Sequence, residues 1–214
     1  MKQINFLALI LLLSCSSSHF NKLLAQTSAE RPPATLSPGT TLNQDLNPAQ
    51  KDVWQISLSS ETYLRLSVRS LTTPVEIRLL AEGNPTGIGA TANGAMPGER
   101  TISYITPATG IYRLEVSAPG NTNKAIHYTA SILEAHSATE RDRLLVAAET
   151  AEMDGRLNSY SRLEDIQKSN ASLEQARSLW QQLGDSKGEL RVLMMLTGNA
   201  KAFGDYLRVG QYAE

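Results

Sequence analysis

The sequence predicts an all-β sandwich, jelly-roll-like, followed by α-helical hairpins, in a multidomain chain whose β part precedes its α part. Two observations support this order. Before about residue 135, apolar and polar residues alternate, which is the period of half-buried strands. After it, apolar residues recur every three or four positions, and none of the nine prolines lies beyond Pro119. Uninterrupted helices require such proline-free sequence.

The first 25 residues are predicted to be an export signal. Lys2 precedes an apolar run from Phe6 to Leu13, which is too short to remain in a bilayer as a spanning helix. The stretch Leu12-Leu13-Ser14-Cys15 resembles the bacterial lipobox, so Cys15 is the predicted lipidation site. The alternative is cleavage near Ala25, which would release a secreted or periplasmic protein. We expect an exported protein of the cell envelope or periplasm, and an outer-membrane lipoprotein if Cys15 is lipidated.

The β part is predicted to span residues 39–135, after a linker at residues 26–38 that is rich in Ser, Thr, Ala and Pro. Turn sequences separate the predicted strands and no helical stretch intervenes, which favours antiparallel pairing over parallel crossover units. Each strand then places one face in a shared core. The predicted strands are Trp54–Leu58, Leu64–Val68, Val75–Leu79, Ile102–Tyr104, Tyr112–Val116 and Tyr128–Ile132.

The helical part is predicted to span residues 136–214. A first helix begins near Thr139 and Glu140, because polar and acidic side chains favour the exposed amides of a helix start. Gly155 is predicted to mark the turn that follows this helix. Its apolar stripe contains Leu144, Ala148 and Ala151.

A second helix is predicted from Ser159 to Leu183, with Asn170 interrupting its apolar stripe. Gly184 is expected to terminate it and Asp185 to cap a third helix. Residues 211–214 are predicted to begin one more helix. The stripe of the second helix contains Leu163, Ile166, Leu173, Ala176, Trp180 and Leu183, and the third helix contains Leu190, Leu193, Met194 and Phe203.

No residue pattern predicts catalysis, a cofactor or a metal site. Lys and Arg number 20 against 21 Asp and Glu, so no strong field would recruit nucleic acid. His19, His127 and His136 do not have the spacing of metal ligands. The glycines at residues 87–98 do not fit a phosphate-binding loop, which must open a helix. We therefore expect a protein that is not an enzyme.

Two further features are interpreted as structural. Acidic pairs such as Glu149 with Glu152 are typical of the solvated face of an amphipathic helix. Trp54 and Trp180 each lie on the apolar stripe of their element, which favours core packing over ligand stacking.

The C-terminal sequence resembles tetratricopeptide repeats. Tyr206, Gly210 and Tyr212 match the aromatic, glycine and aromatic positions of that repeat, and LWQQLGD at residues 179–185 resembles the end of a preceding unit. The resemblance implies a scaffold for protein partners. Because an isolated repeat cannot bury its apolar face, we expect a truncated piece of a larger protein. The predicted partner-binding residues are Leu193, Met194, Phe203, Tyr206 and Tyr212.

The segment Gly110-Ile-Tyr112-Arg-Leu114-Glu-Val116 resembles the last hairpin of bacterial pre-peptidase C-terminal domains. Such a sandwich followed by these helices resembles the exported N-terminal half of tetratricopeptide proteins that end in a CHAT protease domain, whose catalytic residues would lie downstream. The expected function is a non-catalytic protein-interaction module, with membrane contact only through a lipid anchor. The alternative is a stand-alone envelope protein whose sandwich binds carbohydrate or peptide, which exposed aromatic residues on the sandwich would favour.

Overall fold

The computed structural model describes residues 34–48, 50–81, 97–120, 122–157 and 163–212. Within these residues, eight strands precede four helices, which confirms the predicted order of a β part and an α part. The strands are β1 (Ala34–Thr35), β2 (Thr41–Leu46), β3 (Lys51–Leu58), β4 (Thr62–Ser70), β5 (Glu76–Ala81), β6 (Gly98–Ile105), β7 (Gly110–Ser117) and β8 (Ile126–Ser137). The helices are α1 (Glu140–Leu157), α2 (Leu163–Leu183), α3 (Ser186–Ala202) and α4 (Tyr206–Gln211).

The strands form two four-stranded sheets. The first sheet has the order β1-β3-β7-β5 and the second has the order β2-β8-β4-β6. From β2 to β8, consecutive strands alternate between the sheets, so strands that follow each other in sequence lie on opposite sides of the core. Pairing is antiparallel as predicted, except that β1 pairs with β3 in parallel over Ala34 and Thr35.

A hydrophobic core lies between the two sheets and is built from the inward phase of each strand. A short polar chain crosses it. Trp54 Nε1 donates to the hydroxyl of Tyr128 at 3.1 Å, and that hydroxyl donates to Asp52 Oδ2 at 2.7 Å. Because Trp54 and Asp52 lie on β3 and Tyr128 lies on β8, these bonds connect the sheets and provide a buried carboxylate with a donor. The fully buried apolar residues include Leu46, Leu64, Ile77, Leu79, Leu114 and Val116.

The predicted sandwich is confirmed from β3 to β8, but the structure differs from the prediction at the beginning and the end of the β part. The predicted strands coincide with β3 to β8 to within a few residues, but β1 and β2 were not predicted. β1 lies at residues 34–35, inside the predicted linker, so the linker prediction is wrong there; residues 26–33 lie outside the described residues. β2 has the sequence TLNQDL and is mostly exposed at a sheet edge, which explains its weak alternation. β8 continues to Ser137, past the predicted boundary at residue 135.

Helix α1 begins with a reciprocal cap and contains the glycine that was expected to end it. Thr139 Oγ1 and N donate to Asp142 Oδ2 at 2.6 and 2.8 Å, and Asp142 N donates back to Oγ1 at 3.3 Å. The prediction of a turn at Gly155 is wrong, because this glycine is buried inside α1 against α2. Ser169 Oγ donates to its carbonyl at 2.7 Å, and a Cβ there would lie 2.6 Å from Leu173 Cδ2. The absent side chain therefore permits close packing of two helices.

The other helix ends agree with the sequence in part. Gly184 follows α2 with a φ of +66°, and the Asp185 side chain accepts from two amides of α3, as predicted. The predicted start of the second helix at Ser159 lies outside the described residues. The predicted start of a new helix at Gln211 is wrong, since Asp205 already caps α4 and Gln211 is its last residue. Residues 213–214 lie outside the described residues.

Candidate interaction surface

The helical part has its own hydrophobic core. The apolar stripes predicted for the first two helices are buried at the positions that the structure describes, with Leu144 half-buried. Helix α3 faces this core through Gly188, Val192, Leu196 and Ala200, which are spaced by four residues along one side of the helix. The opposite side of α3 is therefore directed away from the core. The buried apolar residues of α1 and α2 are Ala148, Ala151, Ile166, Leu173, Ala176, Trp180 and Leu183.

A polar cluster around Trp180 connects α1, α2 and α3. Trp180 is 2 % exposed, and its Nε1 donates to Glu152 Oε2 at 3.1 Å. Arg191 stacks on the indole with its guanidinium carbon 5.3 Å from the ring centre, and it donates to both Glu152 oxygens at 3.3 Å. Arg156 donates to Glu152 Oε1 at 2.6 Å. The buried carboxylate of Glu152 on α1 thus accepts hydrogen bonds from α2 and α3 and connects the three helices.

The interpretation of Glu149 and Glu152 as a solvated acidic face is wrong. Glu152 is 5 % exposed, for the reasons just given. Glu149 is half-buried, and its burial raises the pKa of its carboxyl, although a hydrogen bond from Ser103 and the charge of Arg65 act in the opposite direction. Ser103 and Arg65 belong to the second sheet. Helix α1 therefore contacts the sandwich on one side and the other helices on another, which leaves little solvated face for these carboxylates.

The outer sides of α3 and α4 expose large apolar residues. Leu190 and Met194 of α3 are 58 % and 67 % exposed. Phe203 after α3, and Tyr206 and Leu207 at the start of α4, are 50 %, 74 % and 78 % exposed. We call these residues the C-terminal apolar surface. Isolated exposed apolar residues are common, but several together in one helical hairpin mark a surface that another molecule can cover.

The predicted partner-binding residues do not all lie on this surface. Met194, Phe203 and Tyr206 are exposed, whereas Leu193 and Tyr212 are half-buried. The sequence prediction omitted Leu190 and Leu207. Leu190 could have been found from its spacing of four residues from Met194, because such a pair lies on one face of a helix.

A groove of about 480 Å³ lies between α2 and α4. Tyr212 lies at its side and donates to Glu174 Oε1 at 2.9 Å, and burial followed by this carboxylate raises the pKa of the phenol. The two arginines of the groove are paired within the protein: Arg177 lies 3.8 Å from Glu174, and Arg208 lies 3.4 Å from Asp205. The Tyr212 bond joins the end of α4 to α2, and the two arginine pairs are local to α2 and to α4, so the arginines of the groove are already engaged within the protein. Its lining residues are Asn170, Ala171, Glu174, Arg177, Arg208, Gln211 and Tyr212.

The sandwich does not display its aromatic residues in the part of the chain that the structure describes. Trp54, Tyr63, Tyr112 and Tyr128 are at most 4 % exposed, and Tyr104 is half-buried beside Tyr112 with ring centres 6.1 Å apart. Core packing of Trp54 and Trp180, as predicted, is confirmed. The exposed aromatic cluster that would favour carbohydrate binding is therefore not found among these residues.

Cys15 and residues 87–96 of the glycine-rich segment lie outside the described residues, as does His19. Of the other histidines, His127 Nδ1 lies 2.9 Å from Asp45 Oδ1 on the sandwich surface. His136 lies at the junction with α1. Over the described ranges, no three His, Cys, Asp or Glu residues are grouped in a way that could hold a metal ion. None of the helices described is long and apolar enough to cross a membrane.

No protein-family model matches this chain, and no curated protein matches it. Among solved structures, it is similar to the pre-peptidase C-terminal domain of a collagenase from Bacillus anthracis, with 22% identity and a TM-score of 0.38 over 48% of this chain and 97% of that one. It is also similar to PliG, a periplasmic inhibitor of g-type lysozyme. For PliG of Aeromonas hydrophila, identity is 15% and the TM-score 0.37, over 49% of this chain and 99% of that one. For PliG of Salmonella Typhimurium, the values are 16% and 0.34, over 47% and 96%. Similarity at this level assigns neither a family nor a function to this chain.

Proposed function

We propose that this chain is a non-catalytic, exported protein-interaction module. In this proposal the sandwich is a recognition or spacer domain and the helices begin a scaffold of tetratricopeptide type. The observation that carries the proposal is the C-terminal apolar surface, because α3 buries its other side in a complete core and still exposes Leu190 and Met194. A surface of this kind is stable in a protein when a partner covers it.

The proposed repeat scaffold divides this surface into two parts. Leu190 and Met194 lie on the side of α3 and would face a partner protein. Phe203 lies between α3 and α4, and Tyr206 and Leu207 lie at the start of α4. These three side chains would pack on a following helix pair, since each repeat buries its apolar face on its neighbour. In a larger protein of the CHAT type, a protease domain would follow these repeats. The short connections between α2, α3 and α4 support the hairpin arrangement that this scaffold needs.

Lipidation of Cys15 would anchor the module at the cell envelope. Replacing Cys15 with Ala should then leave an unprocessed or soluble protein, whereas the wild-type protein partitions into detergent with its mature N-terminus at Cys15. A mature N-terminus at Gln26 would instead support cleavage after Ala25 and a secreted or periplasmic protein. Mass spectrometry of the purified mature protein distinguishes these two results.

Capture of partners with matched variants tests the protein-binding function. The full chain and its variant Met194→Lys/Tyr206→Lys are immobilised and exposed to envelope extract of the organism that encodes the chain. The control is Asn43→Lys/Thr101→Lys, which adds the same charge to exposed positions of the second sheet. We expect the wild type and the control to capture the same protein, and the apolar-surface variant to lose it. Binding of the wild type, the apolar-surface variant and the control is then measured again with the purified captured protein.

The opposite pattern would contradict this proposal. If the sandwich control loses the captured molecule and the apolar-surface variant retains it, the alternative of carbohydrate or peptide binding by the sandwich is favoured.

A further inference from the structure

The exposed side of α3 has an unusual composition. At 3.6 residues per turn, its exposed residues from Lys187 to Lys201 lie within an arc of about 100°, opposite the buried face. This arc contains cations and apolar residues but no carboxylate, because the acidic residue of α3, Glu189, is directed toward Gln181 and Arg177 on α2. We call this arc the α3 stripe. It consists of Lys187, Leu190, Arg191, Met194, Gly198 and Lys201.

The unpaired charges of the stripe lie at its ends, because Arg191 in its middle is paired with Glu152. In the part of the chain that the structure describes, neither Lys187 nor Lys201 has an ion-pair partner. They are separated by about four turns, or about 21 Å at 1.5 Å per residue. Leu190 and Met194 lie between them. The stripe therefore presents an apolar centre with a free positive charge at each end.

The stripe also permits a close approach near its second lysine. A Cβ built on Gly198 would have no atom within 4 Å, so the helix surface has a gap there. Another helix can place a side chain in such a gap, because helices pack with the ridges of one in the grooves of the other.

We propose that the α3 stripe is the docking site for an amphipathic helix of a partner protein with an apolar centre and acidic residues at both ends. The apolar centre covers Leu190 and Met194, and the acidic residues, about four turns apart, pair with Lys187 and Lys201. This inference rests on the proposed protein-binding function and adds the chemistry of the partner. Complementary charge at the rim sets the orientation and the rate of association.

Two other occupants fit the stripe less well. A second copy of the chain, paired through the same stripe, would place lysines and Arg191 against the same cations, which is unfavourable in a symmetric interface. An anionic membrane surface would attract the lysines, but two apolar side chains and a glycine offer little area to insert among lipid chains. An acidic helix satisfies both the charges and the apolar centre.

The probe is a designed helical peptide of about 18 residues with a Leu and Ala seam and a Glu near each end, four turns apart. Binding to the full chain is measured by fluorescence anisotropy. Met194→Glu should weaken binding about a hundredfold by placing a charge in the apolar centre. Lys187→Glu/Lys201→Glu should weaken it about tenfold and reverse its salt dependence, because carboxylates then face carboxylates and added salt screens their repulsion. A peptide with Lys in place of both Glu should restore binding to this double variant and bind the wild type poorly.

The control is Lys124→Glu/Lys168→Glu, which makes the same charge change at exposed lysines of the sandwich and α2 and should leave binding unchanged. All the substituted side chains are exposed, and circular dichroism verifies that each variant is folded. Absence of binding by the wild type, or equal binding by the stripe and control variants, overturns the inference. So does sedimentation of the wild type with equimolar phosphatidylglycerol and phosphatidylcholine vesicles that Lys187→Glu/Lys201→Glu abolishes, since a lipid on Cys15 would sediment both proteins alike. A dimer in analytical ultracentrifugation that Met194→Glu dissociates also overturns it.

The capture experiment separates this inference from the proposed function. If Met194→Glu removes the captured protein but Lys187→Glu/Lys201→Glu does not, the surface binds protein and only the acidic chemistry is wrong. If neither variant affects capture but Met194→Lys/Tyr206→Lys removes it, the inference is wrong and the proposed function stands. If none of the three variants affects capture, both the inference and the proposed function are wrong.

Discussion

At the scale of single residues, two glycines of α3 have different roles. Gly188 lies in the first turn of α3, and a Cβ there would lie 2.4 Å from Cδ2 of Trp180. Gly198 lies on the open side of the same helix, where a Cβ would meet nothing within 4 Å. The first glycine makes room for a buried indole, whereas the second has no such neighbour in the described part of the chain and lowers the stability of the helix by its conformational freedom.

Alanine at these two positions should therefore have opposite effects. Gly188→Ala should lower the free energy of unfolding by about 1–3 kcal/mol, because a rigid ring cannot move away from the new methyl group. Gly198→Ala should raise it by up to about 1 kcal/mol, because alanine is the better helix former. Urea unfolding followed by circular dichroism measures both values. Destabilisation by both substitutions would show that helix α3 is packed on its outer side as well.

On β7, a residue of the polar phase is buried as well as the apolar ones. Leu114 is completely buried, as its phase predicts. Glu115 is on the outer phase but is only 8 % exposed, because it pairs with Val53 and Arg78 of the adjacent strands and binds Lys51 at 3.2 Å. The outward face of the first sheet is thus partly covered.

Leu114→Ala should lower the free energy of unfolding by about 2–5 kcal/mol, because it leaves a cavity between the sheets. Glu76→Ala on the exposed phase of β5 should change it by less than about 0.5 kcal/mol. Denaturant midpoints of the two variants against the wild type provide the comparison. Similar losses in both would mean that the inward and outward phases are wrongly assigned.

At the scale of elements, α4 is less firmly packed than α3. Its residues include no buried side chain, and Tyr212 after its end contacts α2 through the bond to Glu174. In α3, by contrast, Val192, Leu196 and Ala200 are buried. Local stability depends on such contacts, so the two helices should open with different free energies.

Hydrogen exchange should detect this difference. We expect the amides of α4 to exchange much faster than those of α3 around Leu196, and Tyr212→Phe to accelerate α4 further without affecting α3. Exchange of both helices at one rate would show that α4 unfolds only with the whole helical part, and would remove the need for a following helix pair to stabilise it.

The elements that were predicted correctly are those in which apolar residues recur at a regular spacing. The alternation in β3, β4, β7 and β8 located the inward phases, and the 3–4 spacing in α2 located Leu173, Ala176 and Trp180. β2 was missed because an edge strand needs only one weakly apolar face. Gly155 was misread because a glycine in a helix can serve a close contact with a second helix, which sequence periodicity does not contain.

The candidate surface was only partly predictable for the same reason. Exposure of Met194 and Tyr206 depends on which neighbours α3 and α4 have, and this is a property of the assembled helices. The burial of Glu152 likewise depends on Trp180 and Arg191, which are distant in sequence. The acidic residues near Glu152 in α1 did not indicate this contact.

At the scale of the whole molecule, the sandwich and the helices are joined by polar contacts around the start of α1. The Glu61 carbonyl accepts from Ala138 N at 2.8 Å, and its carboxylate accepts from Arg143. Glu61 has a φ of 55°, in the left-handed region that residues other than glycine rarely occupy, so the turn between β3 and β4 is held in this conformation by its surroundings. The contacts of Glu61 link this turn directly to α1.

Ionisable groups occupy the same junction. The His136 ring lies 5.2 Å from that of Tyr63, with Nε2 3.5 Å from Glu134 and Nδ1 3.8 Å from Asp142. Its hydrogen bond to the Ser137 carbonyl, followed by these carboxylates, raises the pKa of the imidazole. Burial raises the pKa of Glu149 further along α1. The junction therefore favours a charged histidine and a neutral glutamic acid.

Both raised pKa values predict that stability falls as pH rises, beginning at the ordinary carboxyl pKa of 4.5 for Glu149 and at the ordinary imidazole pKa of 6.5 for His136. Protonated His136 is favoured in the folded state, so its contribution is complete below the ordinary imidazole pKa of 6.5 and is lost as pH rises through the raised value. The unfolded chain releases the Glu149 proton from its ordinary pKa of 4.5 upward, before the folded chain does, which also lowers the free energy of unfolding. Asp142 affects stability only at lower pH. Burial opposes ionisation of its carboxyl, but the hydrogen bonds from Thr139 outweigh burial and lower its pKa below 3.8. Its contribution to the free energy of unfolding is therefore lost as pH falls through the lowered pKa.

Urea midpoints measured from about pH 5 to about pH 8 should therefore decrease for the wild type. Glu149→Gln and His136→Gln should each flatten the decrease, and the double variant should remove most of it, because neither side chain then titrates. Thr101→Ala, exposed on the outer face of the second sheet, changes no ionisable group and should keep the wild-type slope. A midpoint that rises over this range, or a slope that the double variant leaves unchanged, would place the dominant titration outside the junction between the sandwich and α1.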